Sequence, residues 1–484
     1  MDPATVTATA LVEALARREL SSRELLAFLL ARVDEVNPGL NAVVALDADR
    51  ALDQATRADR AAAAGRPVGP LHGLPMTVKD VWETEGLVTT SGAPELRDHV
   101  PTTDAVAVSR LRAAGAVVFG KTNTPLYAGD FQTYNEVYGI TNNPWDTSRT
   151  AGGSSGGAAA AVAAGLTPLE VGSDIGGSIR NPAHYNGVYG LKPSWGVVPS
   201  RGHIPGPSGS LVESDVNCNG PLARGLDDLR LALGVLAGPL PEESVGWRLV
   251  LDEGPRRDGV DGLRVATVFD QGDGLLPLAS DVRTRLEALA DRLDRAGARV
   301  EEVPLPVPLR DGLRSWQDLV VPIIGAALDD EEFAEVASLE GVPGDDPLLN
   351  GGRAIAARYR TWARANALRQ RQRAAWAALF DRHDVVLAPV MPTTAFPHDV
   401  ERSIVERSLD VDGTPVPHLV AMAWCGAVGS VLLPVVTLPT GLTPTGLPVG
   451  VQVIGPFLSD RRLLAIAKVI DAAAGPGFTP PPAG

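Results

Sequence analysis

The chain of 484 residues reads as an α/β protein whose large mixed β-sheet is covered by helices on both faces, and three observations carry that reading. Helix-type and strand-type patterns alternate along most of its length. The strand-type patterns are unbroken apolar runs, such as Val117-Val118-Phe119 and Val385-Val386-Leu387-Ala388, which suit strands buried on both sides. A small-residue segment at 158–164 lies between two glycine- and serine-rich clusters and reads as a buried helix, not as a solvated tether.

In chain order, residues 8–19 and 22–36 are helical, and Ser21 three residues before Glu24 forms a capping-box pattern. A short strand at 41–46 and an alanine-rich helix at 48–64 complete an N-terminal helical segment, 1–66. A proline- and glycine-rich connection at 67–75 leads into Met76-Thr77-Val78-Lys79-Asp80, a strand with a lysine at its end. A helix at 104–114 stops at Gly115, before a strand at 116–119. Segments 126–138 and 142–149 are irregular, a short strand begins at 169, and 193–221 reads as a long Gly/Pro-rich loop. A helix at 227–236, a strand at 263–268, an amphipathic helix at 280–296 and a strand at 298–303 continue the alternation. Residues 305–382 form a largely helical insertion. Strands at 384–388, 435–438 and 449–454 and a helix at 459–474 follow, and the proline-rich tail 475–484 is expected to be disordered.

Composition excludes several function classes. Forty-three basic against 58 acidic side chains leave a net charge of −15, which argues against a nucleic-acid partner, since binding a phosphate backbone needs clustered Lys and Arg. Two cysteines, Cys218 and Cys425, make no disulfide framework and fit a reducing, cytoplasmic setting. Seven histidines are scattered without metal-ligand spacing, so neither metal nor cofactor is expected. The first twenty residues carry Asp2, Glu13, Arg17, Arg18 and Glu19 and hold no signal-peptide apolar core. The uncharged stretch 416–457 is long enough to span a bilayer, but Gly426, Gly429, Ser430 and Pro434 interrupt it, and it reads as a buried helix followed by a buried strand. Residues 115–122 match the phosphate-loop pattern G-x-x-x-x-G-K-[ST]; the intervening Ala-Val-Val-Phe is a strand former and cannot curl its N–H groups around an anion.

Amide hydrolysis needs a nucleophile, a base, donors for the oxyanion and an acid for the leaving amine. The stretch 150–182 offers two glycine-flanked serine sites, 152–157 and 176–178. Gly152-x-Ser154-x-Gly156 also fits a nucleophile elbow with Ser154 as nucleophile, but an elbow needs a strand leading straight into it, and 142–151 are turn formers.

Segment 150–157 followed by Gly172-Ser-Asp-Ile-Gly-Gly-Ser-Ile-Arg180 resembles the signature of the amidase signature family of serine hydrolases, including the step of twenty-four positions from Ser154 to Ser178. Segment 69–80, ending in Lys79-Asp80, resembles that family's lysine segment, and 120–125, 142–146, 220–224 and 446–452 also match, so that the resemblance covers roughly 8–474. It implies one α/β/α domain with its signature core at 67–225 and a Ser-cisSer-Lys triad: Ser178 the nucleophile, Ser154, after a cis peptide, the bridge, and Lys79 the base. The N–H groups of Ile175, Gly176, Gly177 and Ser178 would form the oxyanion hole. Asp174 and Arg180 read as a supporting pair, and Ser155 as a residue that only hydrogen-bonds within the site. The Lys79 role requires an amine whose usual pKa of about 10.4 is brought near 7, at roughly 4–5 kcal/mol, which burial at a strand end can do.

By position Ala128 and Asp130 match the family's pocket-wall segment, and Trp316, Trp424 and Cys425 are further candidates for the pocket. The expectation is a cytoplasmic amidohydrolase acting on a small-molecule amide, ester or carbamate, with no nucleic acid and no membrane, a homodimer being left open. Two alternatives stand beside it: the glutaminase subunit of a tRNA-dependent amidotransferase, and an inactive amide-binding protein. The glutaminase paralogue typically carries Met-Asp-Glu-Phe where this chain has Thr124-Pro-Leu-Tyr-Ala128, and segment 201–206 resembles free-standing amidases.

Overall fold

The computed structural model describes residues 2–204, 211–270, 274–326 and 328–482. Positions 205 and 206 of the segment likened to free-standing amidases, and the last two residues of the tail, lie outside the described residues.

Two sheets organise the chain. The smaller contains β1 (Val43–Leu46), β2 (Pro75–Lys79) and β3 (Val117–Thr122), in the order β1-β3-β2, with β2 parallel and β1 antiparallel to β3. The larger is built from β4 (Leu169–Asp174), β5 (Tyr189–Lys192), β6 (Cys218–Ala223), β7 (Arg264–Thr267), β8 (Arg299–Glu302), β9 (Val385–Pro389), β10 (Val435–Leu442) and β11 (Pro448–Ile454). Its order is β8-β7-β9-β11-β10-β5-β6-β4, parallel at β8-β7-β9 and antiparallel beyond. This is the expected α/β architecture with a mixed sheet.

Helices cover both faces. Successive strand residues point to opposite sides. On one side a Cβ at Gly190 would meet Ile179 and Ala183, and Ala183 lies in the helix Arg180–Asn186. On the other, the Tyr189 hydroxyl donates to Asp471 of the helix Asp460–Ala474 at 2.8 Å. Burial on both sides explains why the strands read as continuous apolar runs.

Most expected elements form within a few residues of their predicted bounds. The capping box at Ser21 is present, and that helix runs on through Pro38 to Leu40, closed by Asn41 in a left-handed conformation. The phosphate-loop pattern at 115–122 is strand β3 over most of its length, as its β-forming residues dictate. The uncharged stretch at 416–457 divides into the helix Ala423–Ser430 and strands β10 and β11, and no helix among the described residues is long and apolar enough to cross a membrane. Strand β6 falls in what reads as a loop. Its Gly220-Pro221 pair looks like a turn, yet a Cβ on Gly220 would come within 2.0 Å of the Leu191 carbonyl oxygen. The glycine marks close backbone approach inside the sheet. In the tail, 475–482 forms no helix or strand, and Phe478 packs against the small-residue cluster around Ala158 and Ala159.

Strand β4 ends the large sheet and β2 ends the small one, and the two edges meet. The Thr77 N–H donates to Thr167 Oγ1 at 3.1 Å, and the Trp82 indole N–H to the Val171 carbonyl at 2.9 Å. Lys79 sits at the end of this seam.

Candidate active site

Lys79 is fully buried, with its Nζ 2.7 Å from Ser154 Oγ and 3.1 Å from Ser173 Oγ. Burial pulls its pKa from 10.5 down to about 7, opposed by the carboxylates of Asp174 and then Glu170. A buried amine touched by hydroxyls that can donate as well as accept is able to give up its proton. His203 is half-buried; loss of solvent around its ring, then the Lys79 charge, lowers its pKa to about 3, so it remains neutral.

Ser154 is delivered by the 150–157 loop. The Gly153–Ser154 peptide is cis, as the resemblance implies. Gly153 N–H donates to Asn181 Oδ1 at 2.9 Å and Gly156 N–H to Thr133 Oγ1 at 3.1 Å, which fixes the loop on both sides of the serine. Ser155 joins the two serine clusters: its N–H donates to the Ser178 carbonyl at 3.1 Å and its hydroxyl to the Ser173 carbonyl at 3.3 Å.

Ser178 ends a loop, 175–178, between β4 and the helix Arg180–Asn186. Asp174 holds this loop. Its carboxylate accepts from Gly177 N–H at 2.8 Å and Ile179 N–H at 3.1 Å, and from Arg180 Nε and Nη2 at 2.9 and 2.7 Å. Burial alone would raise its pKa, but Arg180 holds it at about 2. The pair is therefore ionised and supports the loop, as expected for Asp174 and Arg180. Trp316 and Cys425 both reach the loop: the indole N–H donates to the Ile175 carbonyl at 2.7 Å, and a Cβ on Gly177 would lie 2.9 Å from Cys425 Cβ. Trp424 instead lines a small apolar cavity with Leu305, Trp376 and Val428.

Ala128 is half-buried in a short turn with a left-handed φ of 58°. Asp130 is buried, and its carboxylate is engaged by Arg407 and by His418 at 2.8 Å. Its carbonyl lies 2.5 Å from where a Gly153 Cβ would sit, so Asp130 backs the serine loop.

Sequence reasoning missed Ser173 and Glu170, both on β4. Glu170 is fully buried, accepting from Thr122 Oγ1 and Val171 N–H, each at 2.8 Å, and burial raises its pKa to about 7. The signal was available: a glutamate in an otherwise apolar run, Leu169-Glu170-Val171, is out of place unless it serves something.

The chain is similar to known proteins across almost all of its length. The Amidase family model matches residues 24–464. A glutamyl-tRNA(Gln) amidotransferase subunit from Synechococcus sp. (strain CC9605) is 34% identical over 500 residues, covering 98% of this chain and 97% of that protein. Among solved structures, an inhibitor-bound complex of an s-triazine catabolic enzyme superposes with a TM-score of 0.81 at 30% identity, covering 98% of this chain and all of that one. A bacterial aryl acylamidase of the amidase signature family superposes with a TM-score of 0.83 at 26% identity, covering 97% and 96%. The amidotransferase relative corrects one expectation. It is one subunit of an enzyme named for a tRNA, which overturns the reading of a small-molecule enzyme with no nucleic acid and at most a second copy of itself. The net charge misled because it sums over the whole surface, whereas a single subunit can serve a tRNA-dependent reaction while the rest of its assembly meets the phosphates. The match over residues 24–464 and the relatives together establish that the chain belongs to the amidase signature family, enzymes that act on amide C–N bonds.

Proposed function

We propose that the chain, as a single amidase domain, cleaves a carboxamide through an acyl-enzyme on Ser178, with Lys79 as base and Ser154 as the bridge. The observation that supports this most is the buried Lys79 amine, 2.7 Å from Ser154 Oγ with its pKa near 7. Neutral Lys79 takes a proton from Ser154, which takes the proton of Ser178 as Ser178 Oγ attacks the amide carbon. N–H groups of the 175–178 loop receive the oxyanion, with the exception of the expected Gly177 donor, whose N–H is held by Asp174 at 2.8 Å. As the C–N bond breaks, the proton returns along the same hydroxyls to the departing nitrogen, and water then repeats the sequence on the acyl group.

The amidotransferase relatives favour glutamine as the amide, with the released ammonia used by a tRNA-dependent amidotransferase that includes partner subunits. A second reading is a free-standing amidase for aryl or alkyl amides. It is supported by the aryl acylamidase neighbour and by segment 124–128, where the glutaminase pattern is absent. A cytoplasmic setting belongs to either reading and is supported by two buried cysteines that remain thiols.

A fluorophosphonate probe tests the chemistry. Wild-type protein should be labelled and Ser178→Ala should not. Labelling that survives Ser178→Ala but is lost in Ser154→Ala would replace this assignment with the elbow one. Ammonia release from glutamine that is weak alone and rises with co-purified partner subunits supports the first substrate reading, and rapid anilide cleavage by the isolated chain supports the second.

A further inference from the structure

We propose that Trp316 is a positioning residue for the oxyanion-binding loop: its indole N–H holds the Ile175 carbonyl and thereby aims the Gly176 N–H toward the reacting carbonyl. The inference rests on the reading in which Ser178 is the nucleophile and 175–178 supply the donors.

A trans peptide is planar, with its C=O and N–H on opposite sides. Gly153–Ser154 is the one cis bond among the described residues, so the Ile175–Gly176 peptide is trans. Whatever fixes the Ile175 oxygen therefore fixes the Gly176 N–H, and the Trp316 indole fixes it at 2.7 Å. The ring itself is wedged. A Cβ on Gly176 would lie 3.0 Å from Trp316 Cζ2, and one on Gly426 would lie 3.3 Å from Trp316 Cγ, so the indole occupies a slot between two glycines. The next donor along the loop, Gly177 N–H, is given to Asp174 at 2.8 Å. The loop is thus held from both sides: Asp174 holds it through an N–H, and Trp316 holds it through a carbonyl. Only the second hold leaves an N–H turned away from its anchor.

Trp316 belongs to the helix Leu309–Val320, in the helical insertion far along the chain from the signature core. Its neighbour Ser315 accepts from Gln372 Nε2 at 2.8 Å, and a Cβ on Gly312 would lie 2.5 Å from Ala427 Cβ, so the helix presenting the indole is itself fixed. The insertion thereby contributes to the chemistry without supplying a reacting group.

Trp316→Phe keeps the ring in its slot and removes the donor. Its fluorophosphonate labelling rate, measured across pH, should fall roughly 10- to 100-fold on the plateau, less than the roughly 10²–10³ of removing an oxyanion donor outright because the Gly176 N–H is misaimed but still present. The midpoint of the pH profile should stay where it is, because Lys79 is untouched. Affinity for phenylboronic acid, whose adduct on the serine places a hydroxyl where the oxyanion forms, should fall in parallel. If the phenylalanine variant does not fold, Trp316→3-benzothienylalanine has the indole's shape without its N–H and gives the same test. Labelling at the wild-type rate, or a loss accompanied by a shifted midpoint, would overturn the proposal. Ser178→Ala in the same assay separates the two failures: labelling that persists there removes the nucleophile assignment itself.

Discussion

Two lysines end up fully buried at the ends of neighbouring strands, and they are built for opposite tasks. Lys79 on β2 touches two hydroxyls, Ser154 and Ser173, whereas Lys121 on β3 is surrounded by acceptors. Its ammonium donates to the Trp82 carbonyl and to the Thr84 and Thr89 hydroxyls, with the Asp80 carboxylate 3.8 Å away. Burial lowers both pKa values, to about 7 for Lys79 and about 8 for Lys121, where Asp80 is the main opposing charge. Burial alone therefore does not make a base. The partners decide whether the proton can leave: a carbonyl and a nearby carboxylate want an ammonium, while a hydroxyl can meet an amine by turning its own proton toward it.

The largest expected difference lies in the paired variants. Lys79→Met should lower the labelling rate by about 10²–10⁴, the usual worth of a general base, while leaving the urea midpoint equal to wild type or higher, since no partner is left as an unpaired charge. Lys121→Met should do the reverse. It strands Asp80 without its counter-ion, and breaking such a buried pair costs about 3–5 kcal/mol, to be read as a lower urea midpoint with the labelling of folded protein within a few-fold of wild type. Equal loss of labelling in both variants would erase the distinction between them.

The serines sharpen the same contrast on a smaller scale. Ser154→Ala removes the hydroxyl that Lys79 faces and should slow labelling by roughly 10²-fold or more. Ser155→Ala removes two long bonds to the Ser173 backbone, the hydroxyl to its carbonyl at 3.3 Å and its N–H to the hydroxyl at 3.4 Å, and leaves the Ser155 N–H to the Ser178 carbonyl in place. Its effect should stay within about tenfold, since two neutral bonds this long are together worth about one ordinary one. Comparable losses in both would mean that the proton does not travel through Ser154.

How much of this was legible beforehand follows from what a sequence pattern encodes. The alternation of apolar runs and helical periodicities is local, so the elements and the α/β class could be read directly. The lysine and serine motifs could be read because their spacing along the chain is part of the resemblance. Strand β6 was hidden because Gly220-Pro221 carries turn chemistry, and only the approach of Leu191 from another strand explains the glycine. Asp130 matches a pocket-wall segment by position, but its partners Arg407 and His418 lie far along the chain and could not be read from it. Trp316 and Trp424 were indistinguishable as tryptophans in apolar company. One reaches the Ile175 carbonyl and the other a closed cavity, a difference set by which helix face meets the loop.

The subtlest test of the two-lysine comparison is Glu170, the buried carboxyl whose charge raises the pKa of both lysines. Lys79 works only when neutral, so the labelling rate should climb with pH through about 7. Ionised Glu170 favours the ammonium form and holds that midpoint up; Asp174 acts in the same direction, and neutral His203 does not oppose it. Glu170→Gln keeps an acceptor for the Thr122 hydroxyl and removes the charge. Lys79 then releases its proton at lower pH, and the acid limb of the profile should move down by a few tenths to about one unit, the size of one buried but indirect charge. The plateau should hardly change. Because Glu170 has its own pKa near 7, it is partly neutral where Lys79 titrates, which keeps the shift small and makes the wild-type limb shallower than the variant's. A limb that stays in place, or one that moves up, would mean that Glu170 serves only to anchor Thr122 and that the field around Lys79 is set by Asp174.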